Sequence, residues 1–158
     1  MVYKSALALN RHHQKNDKPI PLNPTKITTM EGAKNTILIV EDDTALCALL
    51  TTYLEPVYQV HAVHNSMDAW DWLSAGNFPN LILTDFKMPF VNGMELTENL
   101  RTSGLFRDIP IVVLTGSSDP DLEEHAQIWN IERIVAKPFN PEELLETIDQ
   151  TLNQANHV

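Results

Sequence analysis

Cysteine is nearly absent from this chain: Cys47 stands alone among 158 residues, which excludes an internal disulfide and with it the stapled small-scaffold class. Its apolar helical surroundings fit a buried, inert thiol, and a reducing cytoplasmic setting is expected. Also missing is any apolar run approaching the roughly 18 residues that a membrane span needs, and the patch Ser5 to Leu9 falls short of the ~7–15 residues of a signal-peptide core. Neither export nor membrane insertion is expected. Positive charge is scarce as well, with 11 Lys and Arg against 21 Asp and Glu. The scarcity belongs to the body of the chain, because residues 1–35 carry a net +4 and the remainder a net −14. A polyanion would be repelled by that body, since phosphate neutralisation by Lys and Arg supplies most non-specific affinity, so no nucleic-acid partner is expected.

What is present fits one ordinary soluble domain: 43% hydrophobic and 20% charged residues in a length that would leave two independent cores too small. The first 35 residues are polar, contain Pro19, Pro21 and Pro24 and lack periodicity, so they are expected to form a disordered basic extension. Met30 stands just before the patterned region and offers an alternative translation start. From residue 36 to 158 short apolar runs alternate with amphipathic stretches, the signature of βα units around a parallel sheet. Strands are predicted at Ile37–Val40, Gln59–Val63, Leu81–Thr84, Ile111–Leu114 and Arg133–Ala136. Helices are predicted at Thr44–Leu54, Ser66–Ala75, Met94–Thr102, Asp121–Trp129 and Pro141–Asn153, with Asn92-Gly93 ahead of the third and Asn140-Pro141 as cap and first-turn proline of the fifth. No internal repeat or low-complexity tract is present.

Functional groups of an open parallel sheet collect beyond the carboxyl ends of its strands. Those ends read Glu41-Asp42-Asp43, Asp85, Thr115-Gly116 and Lys137-Pro138. If Asp42, Asp43 and Asp85 converge, carboxylates about 5 Å apart repel by roughly 3 kcal/mol at an effective dielectric near 20. A hard divalent cation such as Mg²⁺ offsets this, and Lys137 supplies a second positive charge. Asp85 then stays ionised and can attack phosphorus as a carboxylate nucleophile, while Thr115 donates to the transferring oxygens. Taken singly, each group has an ordinary alternative: the acidic pair as a helix cap, Thr115 as a strand-end hydroxyl, Lys137 as a solvated charge. Their occurrence in this order, each closing its own apolar strand, is what points to a site.

The segments ILIVEDD at 37–43, LILTDFKMPFVNGMEL at 81–96, IPIVVLTG at 109–116 and VAKPF at 135–139 closely resemble the receiver domain of two-component response regulators. The resemblance covers Thr36 to about Gln154. It implies a flavodoxin-like (βα)5 fold, a five-stranded parallel sheet of order 2-1-3-4-5 flanked by helices. It also implies Asp85 as phosphoacceptor, Asp42 and Asp43 as the acidic pair arranging Mg²⁺, and the Lys87 backbone carbonyl completing the metal site. Thr115 matches the switch hydroxyl, Gly116 the small residue beside it and Lys137 the phosphate partner, with a cis Lys137-Pro138 bond. Two departures stand out. The position two before Lys137, often Tyr or Phe in the family, is Val135, and Trp129-Asn130 replaces a small pair after the fourth helix.

The function implied is a phosphorylation-dependent switch, loaded by a sensor histidine kinase or histidine phosphotransfer protein and read through protein contacts, including a possible homodimer. With the chain closing a few residues after the fifth helix, no output domain is expected within it. Such a domain catalyses only its own phosphorylation and dephosphorylation. Three alternatives are weaker. An aspartyl-nucleophile phosphohydrolase usually wants an acid two positions after the nucleophile, where Lys87 stands. A flavin carrier needs a phosphate cradle where Glu41-Asp42-Asp43 would repel the phosphate. A non-phosphorylated scaffold has no need of the full set Asp42, Asp43, Asp85, Thr115 and Lys137.

Overall fold

In the computed structural model the residues described are 32–89, 92–116 and 120–156. The expected leader therefore lies, up to residue 31, outside the described residues.

Five βα units follow one another: β1 (Thr36–Val40), α1 (Thr44–Leu54), β2 (Gln59–Val63), α2 (Ser66–Ser74), β3 (Leu81–Asp85), α3 (Gly93–Thr102), β4 (Ile111–Thr115), α4 (Pro120–Ile128), β5 (Arg133–Ala136) and α5 (Pro141–Ala155). Parallel pairing orders the sheet β2-β1-β3-β4-β5, as expected. Two strands run one residue further than predicted, so that Asp85 and Thr115 are the last laddered residues of β3 and β4. Their backbones are thus fixed by the sheet while their side chains stand at its rim.

The three central strands are buried on both faces, which is why they read as unbroken Val, Ile and Leu. Alternate residues feed two cores. Leu38, Val40, Ile82, Ile111 and Val113 pack with Ala69, Leu73, Leu96, Leu100 and Leu122 of α2, α3 and α4. Ile37, Ile39, Leu81, Leu83, Val112 and Leu114 pack with Cys47, Leu50, Leu54, Leu144 and Ile148 of α1 and α5. Cys47 is buried and free, as its context predicts. No helix among the described residues is long and apolar enough to cross a membrane.

Side-chain oxygens start the helices. Asp43 accepts from the Leu46 amide, Asn65 from Asp68, Asn92 from Glu95 and Asn140 from Glu142, each satisfying an amide that lacks a partner in the first turn. α3 begins at Gly93, one residue earlier than predicted, because Asn92 is its cap and Gly93 its first turn.

At the sheet end opposite the site, Arg101 holds several segments together. Its Nε donates to the Trp129 carbonyl (2.8 Å), Nη1 to the carbonyls of Arg107 (2.9 Å) and Ile109 (2.8 Å), and Nη2 to that of Asn130 (2.8 Å). Nη2 also pairs with Glu132 at 3.1 Å, and Glu132 accepts from the Ile111 amide at 2.6 Å. A planar guanidinium with five fixed donors suits this task; an ammonium could not span it. The turn it braces is the Trp129-Asn130 pair, in which Asn130 adopts φ 49°, a left-handed conformation that Asn tolerates.

Candidate functional site

The candidate site lies at the carboxyl ends of β1, β3, β4 and β5. Register brings the strand ends level: Val40 pairs with Thr84, Asp85 with Leu114, and Thr115 with Ala136. Three backbone bonds then carry the order past the sheet. The Phe86 amide donates to the Leu114 carbonyl (2.8 Å), that of Lys137 to Thr115 (2.6 Å), and that of Gly93 to Phe86 (3.1 Å). The Lys137-Pro138 bond is cis, as expected.

Asp85 is almost wholly buried, and Lys137 Nζ lies 3.1 Å from its Oδ1. The same ammonium reaches Glu41 Oε2 at 3.3 Å. Glu41, Asp42 and Asp85 each offer a carboxylate oxygen, and these oxygens all lie within 4.8 Å of one another. The convergence of acids expected from the strand ends is present, but it is shifted by one residue: Glu41 takes the inner place that Asp43 was expected to hold. Asp43 instead turns its Oδ1 to the Leu46 amide, 2.9 Å away, and caps α1. The cause is where β1 ends: Glu41 directly follows the strand and its amide still ladders to the Val63 carbonyl, whereas Asp43 is already the cap of α1. Ile37, Ile39 and Glu41 face the α1 and α5 side of the sheet, the side to which Leu81, Leu83 and Asp85 also point. Asp42 is exposed and its carboxylate makes no hydrogen bond among the described residues. A set of hard carboxylate oxygens without sulfur or imidazole suits Mg²⁺ rather than a soft metal.

Thr115 is buried at the end of β4, and Gly116 beside it is exposed. Lys87 is exposed in the loop after β3. Val135, the position the resemblance links to the switch, is half-buried. It pairs with Leu114 and packs into the α1 and α5 core, whereas Thr115 belongs to the opposite face with Val113. The residue of β5 that shares the Thr115 face is Ile134, which pairs with Val113 and is exposed.

Burial pushes the Glu41 carboxyl above the usual carboxylate range, and the charge of Asp85 adds to this, against the Asp43 amide and Lys137, which favour the anion. Burial opposes the charge of Lys137, but Asp85 and then Glu41 overcome it and raise the pKa above the usual lysine value. Unfolding returns Glu41 to its ordinary value near 4.5, so between that value and its folded pKa the native chain binds more proton than the unfolded one. The stability that this group supplies is complete below about pH 4.5 and is lost as pH rises through the folded pKa. Glu41→Gln removes the effect. In chelator-treated protein the thermal midpoint of Glu41→Gln minus that of wild type should therefore grow from pH 4.5 to neutrality; a difference that stays flat would show that Glu41 does not titrate in this way.

Comparison with known proteins finds similar chains. The sequence model described as "Response regulator receiver domain" matches residues 37–149. The chain is 32% identical over 111 residues to the cyclic di-GMP phosphodiesterase response regulator RpfG of Xanthomonas campestris, covering 68% of this chain but only 29% of that protein. It is 26% identical over 118 residues to the chemotaxis protein CheY1 of Helicobacter pylori, covering 73% of this chain and 95% of that one. Among solved structures, a CheY-like receiver domain protein from Methanospirillum hungatei superposes with a TM-score of 0.74 at 28% identity, covering 79% of this chain and 98% of its own.

Proposed function

The chain belongs to the response regulator receiver domain family of two-component signalling, and from that premise we propose that it is a phosphorylation switch whose acceptor is Asp85. The observation that carries this reading is the contact of Lys137 Nζ with Asp85 Oδ1 at 3.1 Å inside the cluster of Glu41, Asp42 and Asp85. A buried carboxylate paired with an ammonium, at a rim where the backbone is fixed, is a nucleophile already in place.

An Asp85 oxygen attacks phosphorus, the bond from phosphorus to the donor's nitrogen or oxygen breaks, and the leaving group keeps that electron pair. Lys137 balances the charge gathering on the phosphoryl oxygens, and the Thr115 hydroxyl, at the end of the neighbouring strand, can donate to them. Glu41, Asp42 and Asp85 would hold Mg²⁺, with the Lys87 carbonyl as a fourth oxygen; the cation supplies charge neutralisation for the incoming phosphate. The donor is a sensor histidine kinase or a histidine phosphotransfer protein, and the output runs through protein contacts in the cytoplasm. Phosphorylation adds charge and acceptor oxygens that draw Thr115 and Lys137 inward. Residues 117–119, in the loop that must follow Thr115, lie outside the described residues. Ile134, exposed on the Thr115 face, is the β5 side chain placed to respond.

Incubation of the chain with acetyl phosphate and Mg²⁺ followed by intact mass measurement tests the proposal. One phosphoryl group should be gained with Mg²⁺ and none with a chelator. A gain that persists undiminished in chelator, or no gain from either acetyl phosphate or a phosphorylated phosphotransfer protein, would sink it.

A further inference from the structure

We propose that His64, just beyond the end of β2, is a positioning residue for the cation site; the inference rests on the reading of Glu41, Asp42 and Asp85 given above. The β1–β2 ladder ends at the pair Val40 and Val63. One backbone bond continues it, from the Glu41 amide to the Val63 carbonyl at 3.1 Å. The next partner is a side chain: His64 Nδ1 lies 3.1 Å from the Glu41 carbonyl oxygen. A carbonyl oxygen only accepts, so Nδ1 carries the proton and donates. The imidazole thus stands where a further strand residue would place its amide.

What that bond fixes is the peptide between Glu41 and Asp42, because the Glu41 carbonyl and the Asp42 amide lie in one plane. The two acids depend on this plane unequally. The Glu41 carboxylate is anchored independently, at one oxygen by Lys137 and at the other by the Asp43 amide, 3.0 Å away. The Asp42 carboxylate is exposed and makes no hydrogen bond among the described residues, so only its backbone sets where it points. His64 lines the same surface cavity as Asp42, with Asn65, Asp68 and Pro89. Its removal would leave the peptide between Glu41 and Asp42 held only by the bonds of the Glu41 and Asp43 amides on either side, without emptying any core. Because His64 is exposed, the loss falls on cation affinity and not on folding.

Titration calorimetry with MgCl2 on the full chain, for wild type, His64→Ala and His64→Asn, tests this. Asn places an amide donor where Nδ1 stands. The dissociation constant for Mg²⁺ should rise roughly three- to tenfold in His64→Ala, the span expected for one hydrogen bond, and return to within about twofold of wild type in His64→Asn. A readout without metal accompanies it: the Asp42 amide ¹⁵N resonance, which belongs to the held peptide, should shift in His64→Ala and stay near its place in His64→Asn. His64→Ala binding Mg²⁺ as wild type does, or His64→Asn as weak as His64→Ala with the fold retained, would overturn the positioning role alone. Wild type that binds no Mg²⁺ would overturn the reading of the site, and the positioning role with it.

Discussion

Asp85→Asn should lose the Mg²⁺-dependent mass gain from acetyl phosphate, with a fall in rate on the order of a hundredfold or more, equivalent to about 2.7 kcal/mol in the barrier. The side chain keeps its shape, so the strand end and its bond network survive. What is removed is the anionic oxygen. An amide is a poor nucleophile, and it also forfeits the ion pair with Lys137 at 3.1 Å. Neither Asp42 nor Glu41 can stand in: Glu41 is occupied by Lys137 and the Asp43 amide, and Asp42 lies outside the rim that β3 fixes. A circular dichroism spectrum matching wild type should accompany the loss. Labelling of the Asn variant at the wild-type rate would place the acceptor on another residue.

Gly93→Ala is expected to have the largest effect on stability. An added Cβ at Gly93 would stand 2.1 Å from the Asp85 carbonyl oxygen, 3.1 Å from its carbon and 3.2 Å from the Thr84 hydroxyl. The two nearest atoms are backbone of a central strand, laddered to β4, and cannot yield as the tip of a side chain would. Relief requires α3 to move off the sheet, which breaks the Gly93 amide bond to the Phe86 carbonyl. Overpacking of this kind costs about 3 kcal/mol, on the order of 10 °C in thermal midpoint for a domain of this size. The helical preference of Ala over Gly, about 1 kcal/mol at most, is too small to compensate. Because the displaced atom is the carbonyl of Asp85 itself, phosphorylation should slow as well. A thermal midpoint equal to that of wild type in calorimetry would show that the approach of helix to strand is looser than the contact implies.

The alternation of apolar runs and amphipathic stretches makes the five βα units, their parallel sheet and the strand-end residues Asp85, Thr115 and Lys137 legible in the sequence. Side-chain direction is less legible. Ile37 to Val40 are all buried, so hydrophobicity does not mark which of the three acids that follow the strand turns inward, and that depends on where the strand ends and the helix cap begins. Asp43 looked like a ligand because aspartate is also the preferred helix cap, and the two roles share one sequence signature. The register that pairs Val40 with Thr84 is what sets residue 41 level with Asp85, and register is not written in either strand alone. Val135 and Ile134 pose the same problem on an edge strand, where a one-residue miscount exchanges a packed side chain for an exposed one. His64 left no signal at all: a lone histidine after a strand acquires meaning only when the carbonyl of Glu41 is found opposite.

The Arg101 brace makes the two ends of the molecule mechanically unequal. The carbonyls it holds belong to the turns after α3 and α4, and its partner Glu132 secures the first residue of β4. The last turn of α4 and the entry of β5 are therefore pinned to the body, while the other end of α4 follows directly on the loop from Thr115. Any rearrangement that reaches α4 is thus opposed most strongly at the Trp129-Asn130 turn, where one guanidinium holds the carbonyls of both residues and ties them to the segment before β4.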